Sequence, residues 1–374
     1  MITRYDDYDL AARNTFRMKV RCALYLELTQ EADLLALNWD ALPQPVMVMG
    51  GGSNLLFTRD FPGTVLHVAI TDCHSERSEE SVLRTCGAGV VFDDFCAWAA
   101  GEGLWGPENL SLIPGECGAS AVQNIGAYGV EAKDLLVNIR AFDRISRVFV
   151  QIDPQNCQYG YRTSRFKTEW KDRYIITAVT YRLSRIPQPK LDYGGVRKAL
   201  EARGKAVPSE NCRRPRHMSG KPSLATGGTW FSEGTAFPLT PKDIRDTIID
   251  IRRQKLPDPE ELGSAGSFFC NPVIGTEHFG RIQALAREEN GPEYQVPHYD
   301  TPDGIKVPAA WLIDQCGFKG VQNGGAQVYP KQPLVIVNAS GNAAPEDIIG
   351  LEKRIIDTIS AKYGITLHPE VEHI

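Results

Sequence analysis

Two glycine-rich runs constrain the fold of this 374-residue chain more than any other feature. The first occupies residues 50–54 and reads Gly50-Gly51-Gly52-Ser53-Asn54, between two short apolar runs. The second occupies residues 109–129 and has too few long side chains to pack a core by itself. Because glycine reaches positive φ and lets backbone N–H groups approach an anion, such loops usually wrap a ligand. We therefore predict a ligand-binding protein whose site is built from loops.

The composition is that of an ordinary globular protein. Hydrophobic residues make up 42% of the chain and charged residues 23%, which is enough apolar material to bury large cores. At a usual size of roughly 100 to 200 residues per domain, the length predicts two or three domains. The formal net charge of -5 argues against a nucleic-acid surface, which needs a basic stripe.

The cysteines and the hydropathy pattern favour an intracellular protein. The nine cysteines are scattered without a Cys-x-x-Cys pair, a pattern typical of reduced thiols and not of a metal site. The first residues are polar and acidic, unlike a secretory signal, and no apolar run approaches the ~18 residues that span a bilayer. We expect a cytoplasmic monomer that does not insert into membranes and binds no metal.

Hydrophobic periodicity predicts an α+β protein. Apolar or alternating segments predict strands at residues 46–49, 55–57, 135–152 and 174–183. A helix is predicted over residues 241–254, with Thr240 as its N-cap and Lys255 at its end. A last helix should begin at Pro345, stop near Gly364 and lead into a strand over residues 365–371.

Two polar stretches interrupt this pattern, residues 74–81 and roughly 204–236. We interpret both as surface excursions, that is, solvated loops. The second contains Arg213-Arg-Pro-Arg216, so a contact with a nucleotide phosphate is the alternative interpretation of that cluster.

The glycine-rich runs suit a long ligand with a central diphosphate, such as FAD. A triple glycine by itself is a weak signal, since it more often makes a tight hairpin, and it is not the Gly-x-Gly-x-x-Gly that opens a helix. Two separated glycine-rich loops, each flanked by short strands, favour the cofactor interpretation.

Six motifs in the same order resemble the UDP-N-acetylenolpyruvoylglucosamine reductase family. The resemblance extends over nearly the whole chain, from Asn14-Thr-Phe16 to Pro369-Glu-Val371, apart from the two excursions. Ala121 departs from the family, which often has proline there. The motifs are Gly50-Gly-Gly-Ser-Asn-Leu-Leu-Phe57, Ile113-Pro-Gly115 with Gln123-Asn-Ile-Gly-Ala-Tyr-Gly129, Gly160-Tyr-Arg162, Lys255-Leu-Pro-Asp-Pro259, Ala265-Gly-Ser-Phe-Phe269 and Trp311-Leu-Ile-Asp-Gln315.

The resemblance implies an α+β fold with an FAD-binding part of the vanillyl-alcohol-oxidase type. Two subdomains clasp FAD in that family, and a C-terminal α+β domain closes over the substrate. On this chain we expect subdomain 1 at residues 1–70, to which residues 365–374 return, and subdomain 2 at 71–203. The inserted loop at 204–236 and the substrate domain at 237–364 follow.

The resemblance also implies a reaction and its catalytic residues. NADPH reduces FAD, and N5 of the flavin passes a hydride to the enolpyruvyl ether of a UDP-sugar, giving UDP-N-acetylmuramate for peptidoglycan synthesis. The preference for NADPH over NADH rests on the family alone. Arg162 matches the residue that stabilises the enolate, Ser267 the proton donor, and Glu370 the third catalytic position. Glu370 is either protonated in the working complex or acts through a neighbouring group.

Binding residues follow by the same matching of positions. We expect the UDP-sugar to contact Tyr193, Arg252, Lys255, Asn271, Lys306 and Gln315. We expect FAD to contact Gly50, Gly51, Gly52, Ser53, Asn54, Pro114, Gly115, Gly118, Ser120, Asn124, Gly126 and Tyr128.

Two other functions compete with this one. A flavin oxidase of the same superfamily often tethers FAD through His or Cys, and the loops offer only Cys117 for that purpose. It would also leave Arg162, Ser267 and Glu370 unexplained. A catalytically silent nucleotide-sugar-binding protein would require these three positions to be lost, and they are present.

Overall fold

The computed structural model describes residues 2–205, 207 and 239–374. The Arg213–Arg216 cluster and nearly all of the predicted inserted loop lie outside the described residues. The chain divides into two compact units. The first unit comprises Leu28–Leu37 and Val68–Gln254, and the second comprises Ile2–Glu27, Asn38–His67 and Lys255–Ile374. The division into two FAD-binding subdomains and a substrate domain stays a prediction.

Strands and helices are distributed along the whole described chain. The strands are β1 (Ile2–Asp9), β2 (Arg21–Leu28), β3 (Val46–Met49), β4 (Leu55–Leu56), β5 (Phe61–Val68), β6 (Cys73–Arg77), β7 (Ser81–Gly87), β8 (Gly126–Ala127), β9 (Val130–Glu131), β10 (Leu136–Asp143), β11 (Val148–Ile152), β12 (Tyr174–Ser184), β13 (Gly263–Ser267), β14 (Val273–Ile274), β15 (Tyr299–Thr301), β16 (Gly304–Lys306), β17 (Gln322–Asn323), β18 (Ala326–Val328), β19 (Val335–Asn338) and β20 (Glu372–His373). The α-helices are α1 (Glu31–Ala36), α2 (Phe92–Gly101), α3 (Cys117–Gln123), α4 (Val196–Ala202), α5 (Pro241–Lys255), α6 (Thr276–Asn290), α7 (Ala309–Gln315) and α8 (Pro345–Tyr363). Short 3-10 helices occur at Ala11–Arg13, Trp39–Ala41, Glu108–Leu110, Ala132–Asp134, Pro154–Cys157 and Arg165–Lys167.

The first unit is built on a five-stranded antiparallel sheet in the order β11-β10-β12-β7-β6. Tyr181 of β12 is fully buried and stacks on Phe95 of α2, with ring centroids 4.4 Å apart. Its hydroxyl lies 2.8 Å from the Ser120 hydroxyl and donates to the carbonyl of Cys117 at 3.2 Å. One buried tyrosine therefore anchors α3 to the sheet.

The interpretation of residues 74–81 as a loop is wrong for its first half. Residues 73–77 form β6, an edge strand that pairs antiparallel with β7 from Cys73↔Cys86 to Arg77↔Val82. Both faces of this edge are largely exposed, so the strand carries polar residues throughout and shows no hydrophobic alternation. Residues 73–77 form a strand because their backbone pairs with β7, although their polar composition does not indicate one.

The second unit contains four small sheets. Their strand orders are β1-β2-β5-β3, β13-β19-β18-β17, β14-β16-β15 and β20-β4. Strands β3 and β5 are parallel, as are β4 and β20. The short strands that flank the first glycine-rich run therefore pair with two different partners and do not form a hairpin.

The strand predicted over residues 365–371 is wrong. The last strand is β20, and residues 365–368 belong to no strand. Ile365, Leu367 and Val371 are all buried in the core of the second unit. Alternate burial of side chains produced the period of two without a neighbouring strand.

Both predicted helices are confirmed, and their caps explain why. At the start of α5, the Asp243 N–H donates to the Thr240 hydroxyl at 3.2 Å, and the Thr240 N–H donates to the Asp243 carboxylate at 2.9 Å. Helix α8 begins at Pro345 and ends at Tyr363, and the C-cap Gly364 that follows has a φ of 65°, which suits glycine. Local chemistry of this kind needs no tertiary contact.

The described part of the chain has no membrane-spanning helix, no disulfide and no metal-binding cluster. No helix there is long and apolar enough to cross a membrane. Its eight cysteines are free thiols, and its side chains form no cluster that could hold a metal ion.

A buried carboxyl group lies in the first unit. Glu108 is 2% exposed, and one of its oxygens accepts the Gly106 N–H at 2.5 Å. Burial raises the pKa of Glu108 to about 7, because the charged form loses its hydration. The folded state therefore binds a proton that the unfolded chain releases above its ordinary pKa of 4.5.

Replacing this carboxyl group should change how stability depends on pH. Because the pKa of Glu108 is raised in the folded state, its protonation contributes to stability in full below pH 4.5. This contribution is lost as pH rises through about 7. We expect the free energy of unfolding of Glu108→Gln, measured in urea, to rise relative to that of the wild type by roughly 2 to 3 kcal/mol as pH increases from 5 to 8. Glu201→Gln, at an exposed position of α4, should show no such gain. Parallel curves for Glu108→Gln and the wild type would contradict the prediction.

Candidate active site

The first glycine-rich run lies in the second unit, where close backbone packing requires glycine. Gly52 has a φ of +61°, and a Cβ atom there would lie 2.0 Å from the carbonyl oxygen of Arg13. The Thr15 N–H donates to the Gly52 carbonyl at 3.2 Å. The loop is therefore held by the backbone of residues 13–15.

This loop fits an anionic group. Within the described part of the chain, the N–H groups of Gly51 and Gly52 donate to no protein acceptor. Backbone N–H groups beside residues without side chains can approach a phosphate closely. The chemistry of the loop thus matches the diphosphate of a dinucleotide.

Ser267 is placed by a β-bulge at the end of β13. Ser264 pairs with Val337 and Ser267 with Val335, so three steps on β13 match two on β19. Gly266, within the irregularity, has a φ of +71°. Such bulges redirect the next side chain, and Ser267 is half-buried instead of lying in the core.

Glu370 is brought beside the segment that follows Ser267. Its N–H donates to the carbonyl of Phe268 at 2.8 Å, and the Cys270 N–H donates to the carbonyl of His368 at 2.9 Å. The Asn54 side-chain amide donates to the Glu370 carbonyl at 2.9 Å. The structure therefore gathers Asn54, Glu370 and the Ser267 segment in the second unit.

Four predicted substrate residues also lie in the second unit, and Asn271 follows directly along the chain from this cluster. The Asn271 side chain accepts the Ala309 N–H at 2.8 Å, at the start of α7. Lys306, the last residue of β16, pairs with Val273 of β14. Gln315 ends α7 and is half-buried, and Lys255 ends α5 and is exposed.

Arg162 lies in a tight turn of the first unit. Gly160 and Thr163 form a β-bridge around Tyr161 and Arg162, and Arg162 has a φ of 56°. Its guanidinium donates to the carbonyl of Gly126 at 2.6 Å. A Cβ atom on Gly126 would lie 2.9 Å from the Arg162 guanidinium, so glycine leaves room for this contact. A non-glycine residue at positive φ is a strained feature that clusters at functional sites.

A second arginine lies near Arg162. Burial lowers the pKa of Arg252, and the positive charge of Arg162 lowers it further, while the Tyr128 hydroxyl and Asp93 act in the opposite sense. The Arg252 Nε atom is buried and has no hydrogen-bond partner among the described residues. Two neighbouring cations, one with an unsatisfied buried donor, favour the binding of an anion here.

The hairpin formed by β8 and β9 positions Tyr128. Tyr128 and Gly129 occupy its two-residue turn with φ values of 48° and 81°, as a type I′ turn requires. Burial raises the pKa of the Tyr128 hydroxyl, against the lowering influence of Arg252. Tyr128, predicted to bind the cofactor, therefore lies beside a residue predicted to bind the substrate.

Tyr193 lies in a loop packed against this turn. It is 40% exposed, and a Cβ atom on Gly194 would lie 2.6 Å from the Tyr128 ring. Asn109 is fully buried and donates to the carbonyls of Tyr128 at 2.7 Å and Lys190 at 2.8 Å. Sequence reasoning missed this role of Asn109, which only its place at the start of the second glycine-rich run could have indicated.

Several predicted cofactor residues of the first unit use their side chains internally. Ser120 is buried against Tyr181, and the absent side chain of Gly118 leaves space for Ala88, which a Cβ atom would approach to 2.8 Å. Asn124 is also fully buried. Pro114 and Gly115 precede α3, and Gly115 has a φ of +117°. A ligand would meet this segment through its backbone.

Comparison with known proteins identifies both parts of the chain. Residues 258–374 match the family described as UDP-N-acetylenolpyruvoylglucosamine reductase, C-terminal domain. Residues 23–148 match the FAD binding domain, and this range includes both glycine-rich runs. The cofactor of this chain is therefore FAD.

Relatives match over nearly the full length. The UDP-N-acetylenolpyruvoylglucosamine reductase of Bacteroides fragilis strain YCH46 is 41% identical over 98% of this chain and 99% of its own. That of Porphyromonas gingivalis strain ATCC 33277 is 41% identical over 98% of each chain. The crystal structure of UDP-N-acetylenolpyruvylglucosamine reductase from Thermus caldophilus has a TM-score of 0.61 at 20% identity, covering 100% of this chain and 98% of that one.

A side chain at Gly52 should impair FAD binding. We expect Gly52→Ala to displace the loop, because the new methyl group meets the Arg13 carbonyl at positive φ. The measurement is flavin retained per protein after gel filtration. Gly341→Ala is the matched control, since Gly341 has a φ of +70° in the same unit but open space around its Cβ position. Equal flavin retention by both variants would contradict the prediction.

Proposed function

Because this chain belongs to the UDP-N-acetylenolpyruvoylglucosamine reductase family, we propose that it uses NADPH to reduce UDP-N-acetylglucosamine enolpyruvate to UDP-N-acetylmuramate. It is an FAD-dependent oxidoreductase. The single observation that supports the proposed substrate best is the pair of arginines in the first unit. An enolpyruvyl UDP-sugar carries a carboxylate and a diphosphate, and either could bind such a pair.

The chain itself must supply a proton and stabilise charge. When bound, FAD reduced by NADPH would supply a hydride to one carbon of the enolpyruvyl double bond. The second carbon requires a proton, and the substrate carboxylate becomes enolate-like between the two transfers. These two tasks fall to side chains.

Arg162 is the proposed stabiliser of the enolate. A planar guanidinium can donate two parallel hydrogen bonds to a carboxylate, and it is always charged. Its strained turn and its bond to the Gly126 carbonyl hold it in one orientation before the substrate arrives. Arg252, with its buried Nε, is the proposed second anion ligand.

Ser267 is the proposed proton donor. A hydroxyl is a weak acid, but an enolate intermediate is strongly basic, so position matters more than acidity. The bulge in β13 supports this role, because it places the hydroxyl outside the core. Glu370, held beside Phe268, is the proposed third catalytic group, either protonated or acting through a neighbour.

The remaining polar residues are proposed ligands of the nucleotide diphosphate. Lysines and polar side chains near a diphosphate are electrostatically favourable. The residues are Tyr193, Lys255, Asn271, Lys306 and Gln315.

Anaerobic stopped-flow absorbance at the flavin band tests the proposal. We expect NADPH to bleach the flavin and UDP-N-acetylglucosamine enolpyruvate to restore the colour rapidly. Bleaching without recovery would mean that another compound is the electron acceptor. No bleaching by NADPH would exclude it as the electron source.

Removing the proposed acid should affect only the second half-reaction. We expect Ser267→Ala to slow recovery of the flavin by about 10²- to 10⁴-fold, because the proton donor is lost. Bleaching by NADPH should keep its wild-type rate. Ser264→Ala, in the same strand, is the control. Recovery at the wild-type rate in Ser267→Ala would exclude Ser267 as the proton donor.

Removing the second arginine should weaken substrate binding. We expect Arg252→Met to raise the dissociation constant of the UDP-sugar about 10-fold or more in calorimetry, because a charge-assisted hydrogen bond is lost. Arg253→Met, at the exposed next position of α5, is the matched control. Equal dissociation constants for the two variants would contradict the assignment.

A further inference from the structure

Asn124 connects three segments of the first unit through its side chain. It ends α3 in the left-handed region, with a φ of 49°, and it is fully buried. Its Nδ2 donates to the carbonyl of Gly160 at 2.9 Å and to the carboxylate of Glu131 at 3.0 Å. Its Oδ1 accepts the Lys133 N–H at 3.0 Å. Every polar atom of the side chain is therefore used inside the protein.

The Gly160 carbonyl belongs to the turn that carries Arg162. This turn is closed by the Gly160–Thr163 bridge, and Arg162 pays a conformational cost for its φ of 56°. Two neighbouring bonds tie the same segment to α3: the Tyr159 hydroxyl donates to the carbonyl of Ala121 at 2.9 Å, and the Ser164 hydroxyl donates to that of Val122. Asn124 supplies the bond to the turn itself.

The other bonds of Asn124 fix the surface that the Arg162 guanidinium contacts. Gly126, whose carbonyl accepts from Arg162, pairs directly with Glu131 in the β8–β9 hairpin. A Cβ atom on Gly126 would lie 2.9 Å both from the Arg162 guanidinium and from the Glu131 side chain. Glu131 also pairs with the Lys133 ammonium at 2.7 Å. The Asn124 side-chain amide therefore contacts both the turn that carries Arg162 and the hairpin that carries the Gly126 carbonyl, which accepts from Arg162.

We infer that Asn124 is a positioning residue for Arg162, through the Gly160 carbonyl and the β8–β9 hairpin, and that its side chain is not a ligand of FAD. The inference rests on the proposed role of Arg162 in the reaction. Asparagine suits the position because it tolerates left-handed backbone and offers two donors and an acceptor.

Asn124→Gly removes the three bonds without adding backbone strain, since glycine adopts positive φ freely. We expect flavin content and bleaching by NADPH to match the wild type. Recovery of the flavin with saturating UDP-N-acetylglucosamine enolpyruvate should slow about 10- to 100-fold, because a misplaced catalytic group loses its alignment. Gln158→Gly is the matched control, since Gln158 has a φ of 47° two residues before the turn and its side chain is exposed.

A double-mutant cycle separates positioning from a general loss of structure. In an Arg162→Met background, Asn124→Gly should slow recovery no further, because the group that it positions is gone. Additive losses would overturn the inference. Amide hydrogen exchange gives a readout independent of activity: peptides covering residues 158–164 should exchange faster in Asn124→Gly than in Gln158→Gly.

Further outcomes distinguish this inference from the proposed function. If Asn124→Gly is poorly folded, Asn124→Asp replaces it, since it keeps the Lys133 bond and loses both donors. Loss of flavin from well-folded Asn124→Asp would overturn the inference, because it would make the side chain a cofactor ligand. Wild-type recovery in Asn124→Gly together with slow recovery in Arg162→Met would overturn the inference alone. Wild-type recovery in Arg162→Met would overturn the proposed role of Arg162 and the inference with it.

Discussion

The return of the chain end to the middle of the second unit is the constraint on which much of this site depends. Residues 368–370 pair with residues 268–270, and β20 pairs with β4 directly after the first glycine-rich run. The bonds are between backbone groups, so they depend little on side-chain identity. The Asn54 side-chain amide adds a bond to the Glu370 carbonyl, 316 positions along the chain. Segments proposed to carry catalytic and cofactor-binding residues are thereby joined within the second unit.

The first unit supports its cationic residues differently. Arg252 is buried, and Arg162 has a left-handed backbone; a protein tolerates such features only where the surrounding bonds determine them. Tyr181 anchors α3, and the end of α3 anchors the turn that carries Arg162. Preorganised groups of this kind are a usual source of electrostatic stabilisation in enzymes.

Much of the local structure was predictable because short-range chemistry determines it. The Thr240–Asp243 cap and the Gly364 terminus mark the ends of helices without any tertiary contact. The presence of an FAD-binding domain was also predicted from the glycine-rich runs, which lie within the matched residues 23–148. The strand β6 was missed because an exposed edge has no hydrophobic alternation, and the strand over residues 365–371 was wrong because alternate burial of Ile365 and Leu367 imitates one.

The sequence by itself determined the residue types, their order and the motifs that indicate an FAD-dependent reductase family. It also determined the helices whose caps are local. Only the tertiary structure decided that Tyr128 lies beside Arg252, that Asn109 holds the Tyr193 loop, and that Asn124 serves the turn of Arg162. These contacts join residues far apart in the chain through burial and backbone pairing. Hydrophobic periodicity does not predict such contacts, because tertiary packing determines the partner and spacing along the chain does not.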